Sequence, residues 1–139
     1  MKNKLSFLFL AMLMLVNVNV NAQTSERYTD NNKKHLVNAN EFYNNKKTGD
    51  YSEYKVATLN IREKVLYKDL KFIVNKHAEK YELVNIYNNK DSNINPNRQI
   101  YLFCSISDAK EKMKHKYLII DAETQEPISE GNGERWYYH

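Results

Sequence analysis

Apolar residues recur along the chain in two rhythms, helical up to about residue 80 and strand-like beyond it. Between Asn31 and Lys47, the side chains of Leu36, Val37, Ala39, Phe42 and Tyr43 fall near helical spacing, which predicts a first helix that Gly49 ends. Asp50 or Ser52 can then cap a second helix, with Glu53 adding negative charge to its first turn. Tyr54, Ala57 and Leu59 continue that helix weakly, while Val56, Thr58 and Asn60 alternate with larger groups. The stretch 54–61 therefore reads as helix or short strand, and helix is preferred. A third helix spans Val65–Lys80: Leu66, Leu70, Ile73, Val74 and His77 form one buried stripe, and Lys64, Lys68, Lys71 and Lys76 occupy the other faces.

From Tyr81 the period changes to two, predicting strands at Tyr81–Tyr87, Gln99–Ser107 and Lys116–Ala122. In the middle one, Ile100, Leu102, Cys104 and Ile106 point one way, and Tyr101, Phe103 and Ser105 the other. The linkers 88–98 and 108–115 are polar, so the strands pair as hairpins with long loops. A last run, Glu134–His139, closes the sheet. Helices first and antiparallel strands after make an α+β domain: N-terminal helices packed on one face of a curved antiparallel sheet of about four strands. The other face is left open to a second subunit.

The first 22 residues stand apart. Lys2 and Lys4 precede an uncharged stretch from Leu5 to Val16, and Val20-Asn21-Ala22 puts small residues where a signal peptidase cuts. Asn17, Asn19 and Asn21 interrupt the run after about a dozen residues, short of the about 20 that a membrane span needs. The expectation is an exported bacterial protein, periplasmic or secreted. It would comprise a signal peptide over 1–22, a flexible lead-in over 23–30 and one domain over 31–139. Removing 22 of the 139 residues leaves 117, and losing two lysines lowers the net charge from +4 to +2. That size allows one core, and that charge gives no ground for a nucleic-acid partner. One cysteine rules out an internal disulfide framework or a thiolate zinc site.

Several short motifs resemble the small exported members of the nuclear-transport-factor-two-like superfamily, whose cystatin-like cone packs helices into a curved sheet. The matching residues are Phe42, Gly49-Asp50-Tyr51, the helix Val65–Lys80, and Glu130-Gly131-Asn132-Gly133-Glu134-Arg135-Trp136. The resemblance implies a pocket between sheet and helices. In enzymatic relatives such a pocket holds an Asp and a His, but no position here matches that pair by motif. The run Asp121–Pro127 departs from the likeness and reads as the hairpin turn of a different small α+β module.

Candidate chemistry is sparse. Asp91, Asn93 and Asn95 begin like a calcium loop, yet Pro96 and Leu102 stand where the turn glycine and the bidentate glutamate belong. No metal site or cofactor is expected. His77, Tyr81 and Cys104 are the candidates to line a ligand pocket, with Cys104 reading mainly as a small buried hydrophobe. Trp136, Tyr137 and Tyr138, with Lys112 and Lys114 from a lysine-rich loop, are the candidate interface residues. The functional expectation is an exported binding or accessory domain without catalytic activity, taking a small ligand or a protein partner. The alternatives are a small pocket enzyme of isomerase or hydrolase type, with His77 or a buried carboxylate as base, and a secreted inhibitor or immunity-type protein presenting the loops 88–98 and 108–115.

Overall fold

A computed structural model describes residues 27–45, 48–81, 83, 86 and 93–137. The signal-peptide reading of 1–22, the loop 88–92 and Tyr138 lie outside the described residues. The elements are α1 (Ala39–Asn45), β1 (Leu59–Leu66), a 3-10 turn (Tyr67–Asp69), α2 (Leu70–Tyr81), β2 (Gln99–Asp108), β3 (Lys112–Asp121) and β4 (Pro127–Trp136). The four strands form one antiparallel sheet in the order β1-β2-β3-β4, so the α+β class and the strand count agree with the sequence.

β2 sits inside the sheet and is buried from Gln99 to Ile106. Its register places Ile61 opposite Cys104, and Tyr117 opposite Cys104 on the other side. Ile100, Leu102, Cys104 and Ile106 thus share a face with Ile61, Met113 and Ile119, and α2 covers that face with Leu70, Val74 and Tyr81. Tyr101 and Phe103 share the opposite face with Leu118 and Ile120, and α1 covers it with Ala39 and Phe42. The two helices therefore lie on opposite faces of the sheet, and the expected one-sided helical layer with an open second face is corrected. A strand with large apolar groups on both sides needs two covers, and both come from this chain.

The cover over the Phe103 face is a strap, described over residues 36–45 and 48–54, sewn down by polar contacts from the strands. Tyr101 Oη donates to the Val37 carbonyl at 2.8 Å, and Lys64 Nζ to that of Leu36 at 2.5 Å. Arg62 grips Glu53 with two bonds of 2.6 and 2.7 Å and lies 4.0 Å over the Tyr43 ring. The Tyr54 N–H donates to Ser105 Oγ at 2.9 Å.

This strap explains two differences from the predicted helices. α1 starts only at Ala39, because the Asn38 side chain accepts the Glu41 N–H at 2.9 Å and caps it there. Residues 51–57 form no helix, since Tyr51 and Tyr54 are drawn onto the sheet. The following Leu59, Ile61 and Val65 alternate with Asn60, Arg62 and Lys64 as strand β1. The preference for helix over 54–61 is thus overturned, and Leu66 ends a strand instead of opening the third helix.

Tyr81 ends α2, so the strand expected at Tyr81–Tyr87 does not begin there. Leu83 and Ile86 are buried in 3-10 geometry, while residues 82, 84, 85 and 87 lie outside the described residues. β3 starts at Lys112 and β4 at Pro127, both earlier than expected. The lysine-rich segment is accordingly a strand, and the loop before it shrinks to a tight turn at 109–111 closed by Ala109 and Lys112.

Gly131 and Gly133 let β4 lie under aromatic neighbours: a Cβ at Gly131 would sit 2.9 Å from the Tyr117 ring, and one at Gly133 2.6 Å from that of His115.

The end of the sheet is tied by a buried ion pair. Arg98 Nε and Nη2 bond the two Asp121 oxygens at 2.6 and 2.8 Å, and Asp121 also accepts the N–H groups of Glu123 and Thr124. Arg98 Nη1 reaches the Thr29 carbonyl and Glu123, and Gln99 bonds Asn31 from both its main chain and its side chain. Of the segment read as a lead-in, residues 27–30 are described, and Tyr28 is buried beside Ile94 in a parallel bridge.

Burial alone would raise the Asp121 pKa, but Arg98 and the turn N–H groups outweigh it and hold it below the ordinary 3.8. Its contribution to stability is complete above 3.8 and is lost as the pH falls through the folded value. Asp121→Ala should lower the unfolding free energy by about 3–5 kcal/mol, because it leaves Arg98 buried and unpaired, whereas the double change Arg98→Met with Asp121→Leu should cost less. Chemical denaturation measures both, and a loss under about 1 kcal/mol for Asp121→Ala would show the pair to behave as a surface one.

Candidate functional site

The three residues expected to line a pocket under the helix are placed on or near the α2 face of the sheet. Cys104 lies at the centre of β2 with no exposed surface, and Tyr81 closes α2 inside the same apolar cluster. His77 is half-buried on α2. Tyr81 and Cys104 act as packing for Leu70, Val74, Leu102 and Ile106. Burial pushes the Cys104 thiol up to about 12, which leaves almost no thiolate at neutral pH.

The interface candidates separate. Trp136, half exposed, stands opposite Lys112 in register, and Lys112 Nζ lies 4.0 Å over its ring while pairing with Glu134 at 3.0 Å. Lys114 is exposed and faces Glu134 across the hairpin. The Lys112 ammonium holds the Glu134 pKa below its ordinary value. These residues share the face that carries Phe103, at the end the strap leaves bare. Tyr137 instead is structural: its hydroxyl donates to Asp108 Oδ1 at 2.6 Å and its ring packs on the core.

Further along that same face lies a groove of about 310 Å³. Phe42 from α1, Leu118 and Ile120 from β3, and Pro127 supply apolar lining; Thr48, Asp50, Gln125 and Glu130 supply polar groups. Each wall has a local cause. Gly49 adopts φ of 60°, a conformation open to glycine, in a turn closed by the Tyr51 N–H on the Thr48 carbonyl and by Thr48 Oγ1 on the Tyr51 carbonyl. On the other side Gln125, at φ of 63°, completes the Asp121–Pro127 hairpin turn, whose Gln125 N–H bonds the Asp121 carbonyl. The register slips at Ile119/Ile120, leaving Ile128 as an extra residue and placing Pro127 opposite Ile120 at the groove. The proline begins an edge strand, where it interrupts no ladder.

Among the described residues, Asp50 and Glu130 have no cationic partner within ion-pair distance. The groove therefore offers an apolar floor with a carboxylate on each side, suited to hold a compact molecule and to accept hydrogen bonds from it. Its volume falls near the lower end of the about 300–1,000 Å³ that small-ligand sites occupy.

The groove was not read from the sequence as a site. In the sequence Phe42, Gly49 and Asp50 read as a helix residue, a helix terminator and a cap, and as parts of a family likeness. Leu118 and Ile120 look like ordinary strand residues until the strap is placed over them. Among the described residues, no three His, Cys, Asp or Glu side chains converge as a metal site, and no helix is long and apolar enough to cross a membrane. Asn93 to Asn97, from the calcium-like stretch, form a turn in which Asn95 accepts the Asn97 N–H at 2.9 Å. Compared with protein-family models, curated proteins and solved structures, the chain matches none.

The native protein should leave Cys104 unmodified by maleimide over a time in which the denatured chain takes up one equivalent. Mass spectrometry reads both states, and labelling of the folded protein at the rate of a free thiol would contradict the placement of Cys104.

Proposed function

We propose that the chain is a small exported binding domain of the bacterial periplasm or exterior, without catalytic activity, whose ligand lies in the groove between α1, the Gly49 turn and the β3–β4 hairpin. The observation that carries this reading is the groove itself, where the apolar cluster of Phe42, Leu118 and Ile120 meets polar groups at the surface. A fitting ligand is compact, with an apolar body on Phe42 and Ile120 and a hydrogen-bond donor, such as an amine or hydroxyl, toward Asp50 or Glu130. Export rests on the basic n-region, apolar run and Val20-Asn21-Ala22 of the first 22 residues. The proposal includes the likeness to nuclear-transport-factor-two-like domains, which rests on the sequence motifs; helices on opposite faces depart from it.

The pocket-enzyme alternative gains no support from the described lining of the groove, which contains neither His77 nor Cys104. The inhibitor alternative needs a protruding segment at 108–115, and that segment is a three-residue turn followed by strand.

A nuclear magnetic resonance titration with small aromatic amines and alcohols tests the reading. The expected result is that amide shifts cluster at 48–50, 118–120 and 128–130, and that Glu130→Lys weakens the amine ligands at least about fivefold by replacing attraction with repulsion. Absence of binding, or shifts centred on α2, would overturn it.

A further inference from the structure

The outward face of α2 presents a second surface with its own chemistry. Phe72 points away from the core stripe of Leu70, Val74 and Tyr81 and is 72% exposed, more than any other aromatic side chain among the large exposed hydrophobics described. Burying it against the sheet is impossible without rotating the helix and exposing that stripe. Around it the segment 67–81 carries Lys68, Lys71, Lys76 and Lys80 against Asp69 and Glu79, a surplus of two positive charges. Lys76 lies one helical turn after Phe72, and Lys68 stands four residues before it in the 3-10 turn that leads into α2, so lysines precede and follow the ring.

Lys68 and Lys80 have described partners other than carboxylates. Lys68 donates to the Asn97 amide oxygen at 2.9 Å, and Lys80 lies 4.9 Å over the Tyr81 ring. Neither partner is anionic.

We propose that this face of α2 docks on an anionic lipid surface, with Phe72 entering the headgroup region and the flanking lysines meeting the lipid phosphates. One aromatic ring offers too little apolar area for a stable protein interface. It suffices for interfacial binding, where basic side chains at the membrane surface add attraction to a modest apolar contact. The half-exposed Trp136 lies on the opposite face of the sheet, so a membrane bound to α2 leaves the groove facing solvent.

The test is co-sedimentation with vesicles of phosphatidylcholine alone or mixed with phosphatidylglycerol. Residues 1–22 are apolar enough to enter lipid by themselves, so variants are compared within one form of the chain, with that segment and without it. Binding is expected only to the anionic vesicles and is expected to fall with added salt. Phe72→Ser and Lys76→Glu should each lower partitioning by about five- to tenfold while leaving the thermal midpoint unchanged, since both side chains are exposed. In the double variant Phe72→Trp with Trp136→Phe, the indole emission should shift to the blue on anionic vesicles. Equal binding to both vesicle types, no binding, or variants that partition like the parent would overturn the proposal. So would a blue shift that follows protein concentration without lipid, which would assign the face to a second copy of the chain.

Discussion

The structure depends on a strand that cannot face water on either side. β2 carries Tyr101 and Phe103 on one face and Ile100, Leu102, Cys104 and Ile106 on the other, all with essentially no exposed surface. A four-stranded antiparallel sheet normally keeps one face polar. Here the aromatic face adds a stacked group, with the Phe42 and Tyr101 rings 4.3 Å apart and Tyr43 and Tyr51 leaning on Phe103. Leaving it bare would expose several large rings at about 25 cal/mol per Å². The chain meets this demand with unequal covers: a 12-residue helix on the aliphatic face, and a short helix within an irregular strap on the aromatic one.

The irregular cover works because strand residues hold it. Arg62, Lys64, Tyr101 and Ser105 each point at the strap and bind a carbonyl, a carboxylate or an N–H of it. A helix satisfies its own backbone, whereas a strap must find partners for its polar groups. Two bonds to Glu53 and a ring contact to Tyr43 make Arg62 the main clasp. At the far end Arg98 and Asp121 join residues 29–31, the start of β2 and the β3–β4 turn, so that the first described residues are anchored by the same hairpin that frames the groove. The strap also makes the groove: it stops short of β4, and the gap between the Gly49 turn and Pro127 is where the aromatic cluster comes to the surface.

The parts legible in the sequence are those in which one residue's environment repeats at a fixed period. The alternation of β2 is visible from Gln99 onward and was read with its two faces correctly assigned. The stripe Leu70, Ile73, Val74 and His77 marks α2. The misread parts depend on partners far along the chain. Tyr51 and Tyr54 look compatible with a helix until Ser105 and Lys116 claim them; Lys116 Nζ lies 4.4 Å over the Tyr54 ring. Lys112 and Lys114 look like a solvated loop, yet they alternate with Met113 and His115, which are buried on the core side. The candidate pocket residues Tyr81 and Cys104 lie within the apolar cluster on the α2 face. A buried polar-capable side chain on an apolar stripe satisfies the sequence pattern of a pocket and of a core equally well, and only the packing of Leu83, Ile86 and Met113 around it decides.

If β2 is the shared element of both clusters, its two covers stand or fall together. Native-state hydrogen exchange of the amides from Ile100 to Ile106 measures this most directly. They should exchange only through global unfolding, and Phe42→Ala, which removes the ring stacked on Tyr101, should lower their protection by about 3–5 kcal/mol. Unchanged protection of β2, with faster exchange confined to α1, would show the strap to be a dispensable cover and contradict the account.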